Sequence, residues 1–515
     1  MPAVQHKADS ALVSRLEPAE IYQFLTDCQQ KAIASDQPKI ASLSFSILAI
    51  APQTVLAALG SQYQRHFYYD SPQQTGSQQT MVGIGCAVEC SATGVDRFSL
   101  AQSFVQFWQT QFIYATLDRS RLAPLAHFFC STTFFAEPNV VEAGSMPPDL
   151  THARKLSPPI PYFEPAYLFV PQFQLTTCRT HPASLSTVTF NHLMTARADV
   201  RQVTDTLYAK LSKLIAVSRS QQGLLPKNRS AVLNQRKTHG GRYHASYEGF
   251  THFKPAVKAA LQQIQTSQLH KVVLADVMDV EGAQPFDEVR SLQALRQNHP
   301  DCTVFSIGNG RGQSFIGASP ERLLSITDGR FTTDALAGTI SRGVLPSLDI
   351  QLAQTLVNSE KEQFEHRLVV EFIVRQLRSL GLTPEYEALP RVLQLLHVQH
   401  LHTPISANIS PPQSISPLDI LAKLHPTPAV AGVPHQAACR LIRQYETFDR
   451  GLYAAPLGWI DTQGNSEFVV GIRSALLNGQ KARLYAGAGI VAGSEPAKEL
   501  AEIKLKLQAL LNALV

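Results

Sequence analysis

Long apolar runs are missing from this chain. No stretch approaches the roughly 18 residues that a membrane-spanning helix needs. The opening MPAVQHKADSALVSRLEPAE has no apolar signal core and lacks the Arg/Ser-rich, acid-poor character of a transit peptide. A soluble, cytoplasmic protein is expected. Cysteine is sparse and unpatterned. Cys28, Cys86, Cys90, Cys130, Cys178, Cys302 and Cys439 are odd in number, and no second close pair joins Cys86 and Cys90 to complete a zinc site. Reduced, mostly buried thiols are the expectation. Charge of one sign is scarce as well: the net +5 is spread along the chain without a basic stripe, which argues against nucleic acid and mildly favours a small anionic substrate. No internal repeat is found. What remains is an ordinary globular composition over 515 residues, long enough for two to four domains or subdomains around a large core.

The texture changes near residue 240. Before it, strand-like runs (Ala41–Ile50, Thr80–Val88, Phe128–Phe135, Tyr167–Leu175) mix with helical ones (Pro18–Ala34, Val200–Ser218). Ser145–Pro165 is proline-rich and reads as a loop. Gln221–Glu248 is polar and basic and reads as an exposed connection. Beyond it, Phe253, Val257, Leu261 and Ile264 recur at helical spacing. Strands are expected at Lys271–Asp276, Val304–Ile307, Phe315–Gly317, Leu323–Ile326 and Phe331–Leu336. One long helix is expected over Ile350–Leu380, with Phe364, Leu368, Phe372 and Leu377 as its apolar stripe and Gly381 as its stop. Leu457–Ile460, Phe468–Ala475 and Ala482–Val491 read as a meander turned at Asp461–Gly464 and Asn478-Gly479. Pro496–Leu514 reads as a helix burying Leu500, Ile503, Leu507, Leu510 and Leu514. Hairpins rather than strict alternation suggest an α/β (α+β) fold of large antiparallel sheets covered by helices.

Several residues could carry chemistry. Glu362 and Glu365 share one helix face, as do Glu499 and Glu502. Taken alone, each pair reads first as a solvated face: Ser359 and Glu362 fit a capping box, and Glu502 can pair with Lys506. Brought together, the four carboxylates would repel unless a hard divalent cation neutralised them. Lys271 opens the apolar run KVVLAD; either its stem lies on the sheet with its head in water, or it is desolvated and serves as a base. Glu321 in Ser319-Pro320-Glu321 reads as a turn carboxylate. Arg473 interrupts FVVGIRSALL, so it needs an anion, either a structural partner or a ligand carboxylate. AGAG at Ala486–Gly489 and AGT at Ala337–Thr339 are close-packed turns or places where backbone N–H groups approach a ligand. His400 and His425 are weak signals by themselves.

Together these segments resemble the chorismate-utilising enzyme family. The matching stretches are KVVLAD, FIGASPERLL (Phe315–Leu324), DALAGT (Asp334–Thr339), SEKEQFEH (Ser359–His366), HPTPAVAGVPHQAA (His425–Ala438), GWIDTQGNSEFVVGIRSA (Gly458–Ala475) and AGAGIVAGSEPAKELAEIKLK (Ala486–Lys506). They follow the family's order and cover nearly all of 250–515. Residues 1–240 match loosely, through patterns such as MVGIGCAVE, and stand where the family has its variable N-terminal half; 241–515 would be the chorismate-binding catalytic region. The resemblance implies two large antiparallel sheets sandwiched by helices, a monomer, and a magnesium ion. It implies Glu365 and Glu502 as direct metal ligands, with Glu362 and Glu499 supporting. It implies Arg473, with backbone at Gly487 and Gly489, as the grip on the pyruvyl carboxylate. Gly338, Thr339, His400, Ala429 and Lys506 would line the pocket.

Within the family, Lys271 combined with Ala337 resembles the water-using members, the isochorismate synthases. Ammonia-using relatives lack the lysine, and those making aminodeoxychorismate have a lysine where Ala337 stands. HPTPAVAGVPHQ resembles isochorismate synthases more than salicylate synthases, which share Lys271 and then eliminate pyruvate. Asp334 stands where many relatives have glutamate. The implied mechanism has a neutral Lys271 as base toward water and a protonated Glu321 as acid toward the C4 hydroxyl, so the first needs a lowered pKa and the second a raised one. A salicylate synthase, an ammonia-using synthase component and a non-catalytic chorismate sensor are the competing readings. The downstream route, whether quinone, iron-chelator or salicylate synthesis, is left open.

Overall fold

The computed structural model describes residues 18–60, 64–72, 79–116, 125–137, 162–178, 185–222, 243–246, 250–266, 268–395, 398–409 and 415–514. The expected loop at Ser145–Pro165 and the connection at Gln221–Glu248 lie largely outside them. β-Branched and aromatic runs form two sheets. The larger runs, in order, Tyr243–Ser246, Lys271–Gly282, Lys481–Val491, Ser474–Asn478, Gln313–Ser319, Thr303–Asn309, Arg65–Asp70, Gln79–Ile84, Phe173–Cys178, Leu185–Met194, Lys39–Leu48 and Phe112–Thr116, with Gly432–Val433 against Lys271–Gly282. The smaller runs Glu385–Tyr386, Val398–Asn408, Arg330–Ser341, Arg322–Thr327, Ser466–Val470, Pro456–Asp461, His127–Thr132, Ala166–Val170 and Val88–Ala92, with Arg391–Gln394 on Val398–Asn408. Pairing is antiparallel except between Lys39–Leu48 and Phe112–Thr116. Both sheets continue across residue 240: Arg65–Asp70 pairs with Thr303–Asn309, and His127–Thr132 with Pro456–Asp461.

The two sheets meet through their aromatic faces. Phe67 of the larger sheet stacks on Phe129 of the smaller, with ring centroids 4.7 Å apart. Opposite that ring stands Gly83, where a Cβ would lie 2.4 Å from Phe129. Three runs expected as single strands are each broken where the chain passes from one sheet to the other. Thr80–Val88 divides at Gly85, whose φ is +70°, and Tyr167–Leu175 divides at Pro171-Gln172. Phe468–Ala475 divides at Gly471–Arg473, so the expected meander is two hairpins in different sheets. A fourth crossing, at Pro320-Glu321, joins Gln313–Ser319 to Arg322–Thr327. A Cβ at Gly471 would fall 2.5 Å from the Leu452 carbonyl, and Arg473 has φ +49°. Sheet pairing decides against local strand propensity in the three runs expected to be continuous, while the turn expected at Ser319-Pro320-Glu321 is present.

The expected long helix Ile350–Leu380 is instead two helices, Pro346–Asn358 and Glu360–Ser379. Ser359 is extended (φ −76°, ψ 111°), and its hydroxyl accepts from the Glu362 N–H, which starts the second helix afresh. The buried stripe is His366, Val369, Phe372, Ile373, Val374 and Leu377, and Phe364 is exposed. Gly381 ends this helix with φ +80°. The last helix, Pro496–Leu514, buries Leu500, Ile503, Leu507 and Leu510 as expected, along with Leu511, while Leu514 is half-buried. The thiols of Cys28, Cys86, Cys90, Cys130, Cys302 and Cys439 are free. Among the described residues no helix is long and apolar enough to cross a membrane.

Candidate active site

The strand Lys271–Gly282 is buried over its first eight residues because neighbours cover both of its faces. Lys271 is therefore 1% exposed, and Gly432 crosses it so closely that a Cβ there would sit 2.1 Å from the Lys271 carbonyl. A lysine buried this deeply needs an anion. It finds one in Glu365, whose Oε1 accepts from Nζ at 2.6 Å. Lys271 draws the Glu365 carboxyl downward against the effect of burial, which pushes it up. Gly489 faces the pair: a Cβ there would lie 3.2 Å from Glu365 Oε1 and 3.3 Å from Lys271 Cε.

Glu362 lies one turn before Glu365. The expected capping box is only half made, because the Glu362 carboxylate turns away and accepts the Thr339 N–H at 3.1 Å. Thr339 is presented by a β-bulge at Gly338, which has φ +77° and no room for strain-free L side chains. The Thr339 hydroxyl meets His400 Nδ1 at 2.9 Å. Burial lowers His400 to about 4, so the ring is neutral, and its buried Nε2 has no hydrogen-bond partner among the described residues. From the last helix, Glu502 pairs with Lys506 at 2.6 Å, the bland partnership open to it, and Lys506 also donates to the Gly487 carbonyl at 2.9 Å. Burial raises Glu362 and Glu499, and the remaining carboxylates add to both: Glu365 and Glu502 repel Glu362, and Glu502 and Glu365 repel Glu499. The two helices therefore bring all four carboxylates within range of mutual repulsion.

Among the described residues, no three His, Cys, Asp or Glu side chains already form a closed metal-holding group. The donor set is nonetheless oxygen only, partly desolvated and self-repelling, and glycines 338 and 489 keep side chains off its floor. Such a set suits a hard divalent cation that keeps waters and an anionic ligand.

Glu321 sits at the sheet crossing after Pro320 and is 7% exposed. Burial pushes its carboxyl up to about 7; Lys271 opposes this and Asp334 adds to it. The charge of Lys271 thus reaches Glu321. Asp334 is held low by His402 at 2.8 Å and Arg322 at 2.9 Å, which outweigh its burial. Arg473 stands at the neighbouring crossing. Among the described residues it makes no ion pair, which removes the structural-partner reading; its Nη1 donates to Cys302 Sγ at 3.6 Å. Ala429 is half-buried in the turn Thr427–Ala431, which runs beside the lysine strand, but no hydrogen bond of its own ties it to the other site residues.

Sequence reasoning missed Tyr453 and the buried pair behind the lysine strand. A Cβ at Gly487 would lie 2.8 Å from the Tyr453 hydroxyl, and Tyr453 senses the charge of Glu321. Glu446 and Arg450 form an i, i+4 ion pair at 2.5 Å. Glu446 accepts the Ala275 N–H, and Arg450 donates to the Val273 carbonyl. The segment ETFDRGLYAA (Glu446–Ala455) held both clues, but nothing in its spacing pointed to the lysine strand.

Residues 23–515 match the model of a family described as chorismate binding enzymes. The salicylate biosynthesis isochorismate synthase of Pseudomonas aeruginosa is 42% identical over 280 residues, 54% of this chain and 57% of that protein. Isochorismate synthase MenF of Bacillus subtilis is 41% identical over 259 residues, 50% of this chain and 54% of that protein. The matches thus span little more than half the length of these relatives. The structure of MenF, the menaquinone-specific isochorismate synthase from Escherichia coli, superposes with a TM-score of 0.69 at 24% identity, covering 95% of this chain and all of that one. The fold is that of the chorismate-utilising enzymes, and with nearly its whole length matched, the chain belongs to the chorismate binding enzyme family.

Proposed function

We propose that this protein is a magnesium-dependent isochorismate synthase, with 241–515 as its catalytic region and 1–240 as the variable half of the fold. The observation that supports this reading is a fully buried lysine, Lys271, whose charge reaches a buried glutamate, Glu321, that keeps its proton near neutrality. In its neutral form Lys271 takes a proton from water as the water oxygen bonds to C2 of chorismate. Both ring double bonds shift, from C1–C2 to C1–C6 and from C5–C6 to C4–C5, the C4–O bond breaks, and Glu321 gives its proton to the departing hydroxyl, which leaves as water. Arg473, with the backbone at Gly487 and Gly489, holds the pyruvyl carboxylate; it makes no ion pair among the described residues, which leaves its charge available. Gly338, Thr339, His400, Ala429 and Lys506 line the ring.

Glu365 and Glu502, supported by Glu362 and Glu499, would hold the magnesium ion. When bound it binds the ring carboxylate and stabilises charge during the double-bond shift. Glu365 has two duties, since it also fixes Lys271. The proposed setting is the cytoplasm, with a monomer acting on a small molecule.

The test is incubation of the purified protein with chorismate, with and without magnesium, followed by chromatographic separation of products. Magnesium-dependent isochorismate without pyruvate is expected. Salicylate with pyruvate would make the protein a salicylate synthase, incorporation of ammonia would make it an amine-forming synthase component, and no conversion would end the catalytic reading.

A further inference from the structure

The guanidinium of Arg473 is oriented in an unusual way. In this same protein Arg450 is fixed by Glu446 and Arg296 by Asp70, while the buried Arg97 is held by the neutral oxygens of Thr133, Phe135 and Pro165. Arg473 makes no ion pair with a described residue, and its side chain donates to the sulfur of Cys302, 3.6 Å from Nη1. Cys302 is 2% exposed. It is itself well anchored: its carbonyl accepts from Arg296 Nη2 at 2.8 Å, and its N–H donates to the His299 carbonyl at 3.2 Å. Burial also keeps its thiol protonated and so neutral.

The backbone of Arg473 is fixed from the other side. Its φ of +49° is rare for a residue with a side chain, and its carbonyl accepts the Ala318 N–H at 3.1 Å. A Cβ at Gly317 would approach that carbonyl to 2.9 Å, so the glycine is required for the contact. The arginine is thus held at both ends without meeting a negative charge. Sulfur is a weak acceptor and carries no charge when protonated. It can set the direction of the fork while leaving the cation uncompensated for an incoming anion.

We propose that Cys302 is the positioning residue of Arg473: its thiol sulfur aims the guanidinium into the pocket while leaving the positive charge free for the substrate carboxylate. This rests on the reading of Arg473 as the carboxylate grip in chorismate conversion. A carboxylate at position 302 would orient Arg473 as well or better, yet it would neutralise the charge.

The test compares Cys302→Val, Cys302→Ser and Cys302→Asp with the unaltered protein. The readouts are kcat and KM, equilibrium Kd for chorismate, and melting temperature. Cys302→Val keeps the volume and removes the acceptor; it should raise KM and Kd about tenfold while kcat moves less than about threefold. Cys302→Ser supplies a shorter acceptor and should recover part of the loss. Cys302→Asp should be the weakest binder of the three. In an Arg473→Lys background, Cys302→Val should have no further effect on Kd. Unchanged Kd in a folded Cys302→Val protein would overturn the proposal, as would Cys302→Asp binding as tightly as the unaltered protein. If the protein binds chorismate without converting it, the reading of function fails while the Kd series still decides the role of Cys302. If it does not bind chorismate at all, both fail.

Discussion

At four places the chain passes from one sheet to the other through a bend of only two or three residues, and these four form two matched pairs. In the N-terminal pair, Gln79–Ile84 lies beside Phe173–Cys178 in the larger sheet, and their continuations Val88–Ala92 and Ala166–Val170 lie side by side in the smaller. In the C-terminal pair, Gln313–Ser319 lies beside Ser474–Asn478, and Arg322–Thr327 beside Ser466–Val470. The architecture is the same, and the residues at the bends differ. The first pair bends at Gly85-Cys86-Ala87 and Pro171-Gln172, the second at Pro320-Glu321 and Gly471-Ile472-Arg473. One pair of bends holds the sheets together. The other carries a buried carboxyl, Glu321, and a cation, Arg473, with the two bends tied by Val470 N–H to the Glu321 carbonyl and Ala318 N–H to the Arg473 carbonyl. A bend already needed by the fold gives a side chain an orientation that a regular strand denies it.

Removing the charged chemistry should break the comparison most sharply. Lys271→Ala is expected to retain chorismate binding and lose turnover by about three orders of magnitude or more, the upper range for a general base; a near-normal kcat would exclude Lys271 from that role. The N-terminal bends should answer in the opposite currency, stability rather than rate. Phe129→Ala empties a fully buried site between the sheets and should cost about 3–5 kcal/mol, read by thermal or denaturant unfolding. Turnover per folded molecule should be unaltered, and a selective loss of kcat would show that the scaffold half shapes the site directly.

The pH dependence refines the contrast. Burial lifts Glu321 to about 7, so its protonated form dominates below that pH and disappears above it. The rate constant should therefore fall as pH rises through about 7, approaching tenfold per unit well above it, and Glu321→Gln should remove this limb along with most activity. The smallest expected effect belongs to Asp276, on the opposite face of the lysine strand. Burial raises it to about 7, and its Oδ2 has no partner. A carboxyl raised on folding contributes stability that is complete below its unfolded value of 3.8 and is lost as pH rises toward 7. Asp276→Asn should stabilise the protein at pH 8 by about 1–2 kcal/mol, less than the full shift because the amide remains buried and underpaired. At pH 4 the gain should vanish; an equal gain at both values would rule out the charge as its cause.

Much of the frame could be read from the chain. Pro496–Leu514 appears with the expected bounds, Lys271 opens its strand, and Gly381 stops its helix. The errors share a cause. Ile350–Leu380 carries continuous helical periodicity, and one serine hydroxyl divides it. Thr80–Val88, Tyr167–Leu175 and Phe468–Ala475 carry continuous strand texture, and the exchange of one sheet for the other divides them. Residue pattern reports how a segment buries its side chains. It does not report which sheet the segment joins, because both sheets bury side chains equally well.

The sequence by itself determined that Glu362 with Glu365, and Glu499 with Glu502, share helix faces, and that an apolar strand opens on a lysine. Only the tertiary structure decided the rest: that Lys271 meets Glu365 across 94 residues, that Glu362 leaves its capping role for Thr339, and that Arg473 rests on a sulfur 171 residues away. Each of these contacts joins separate strands and helices whose register is set by packing, and no interval along the chain encodes that register.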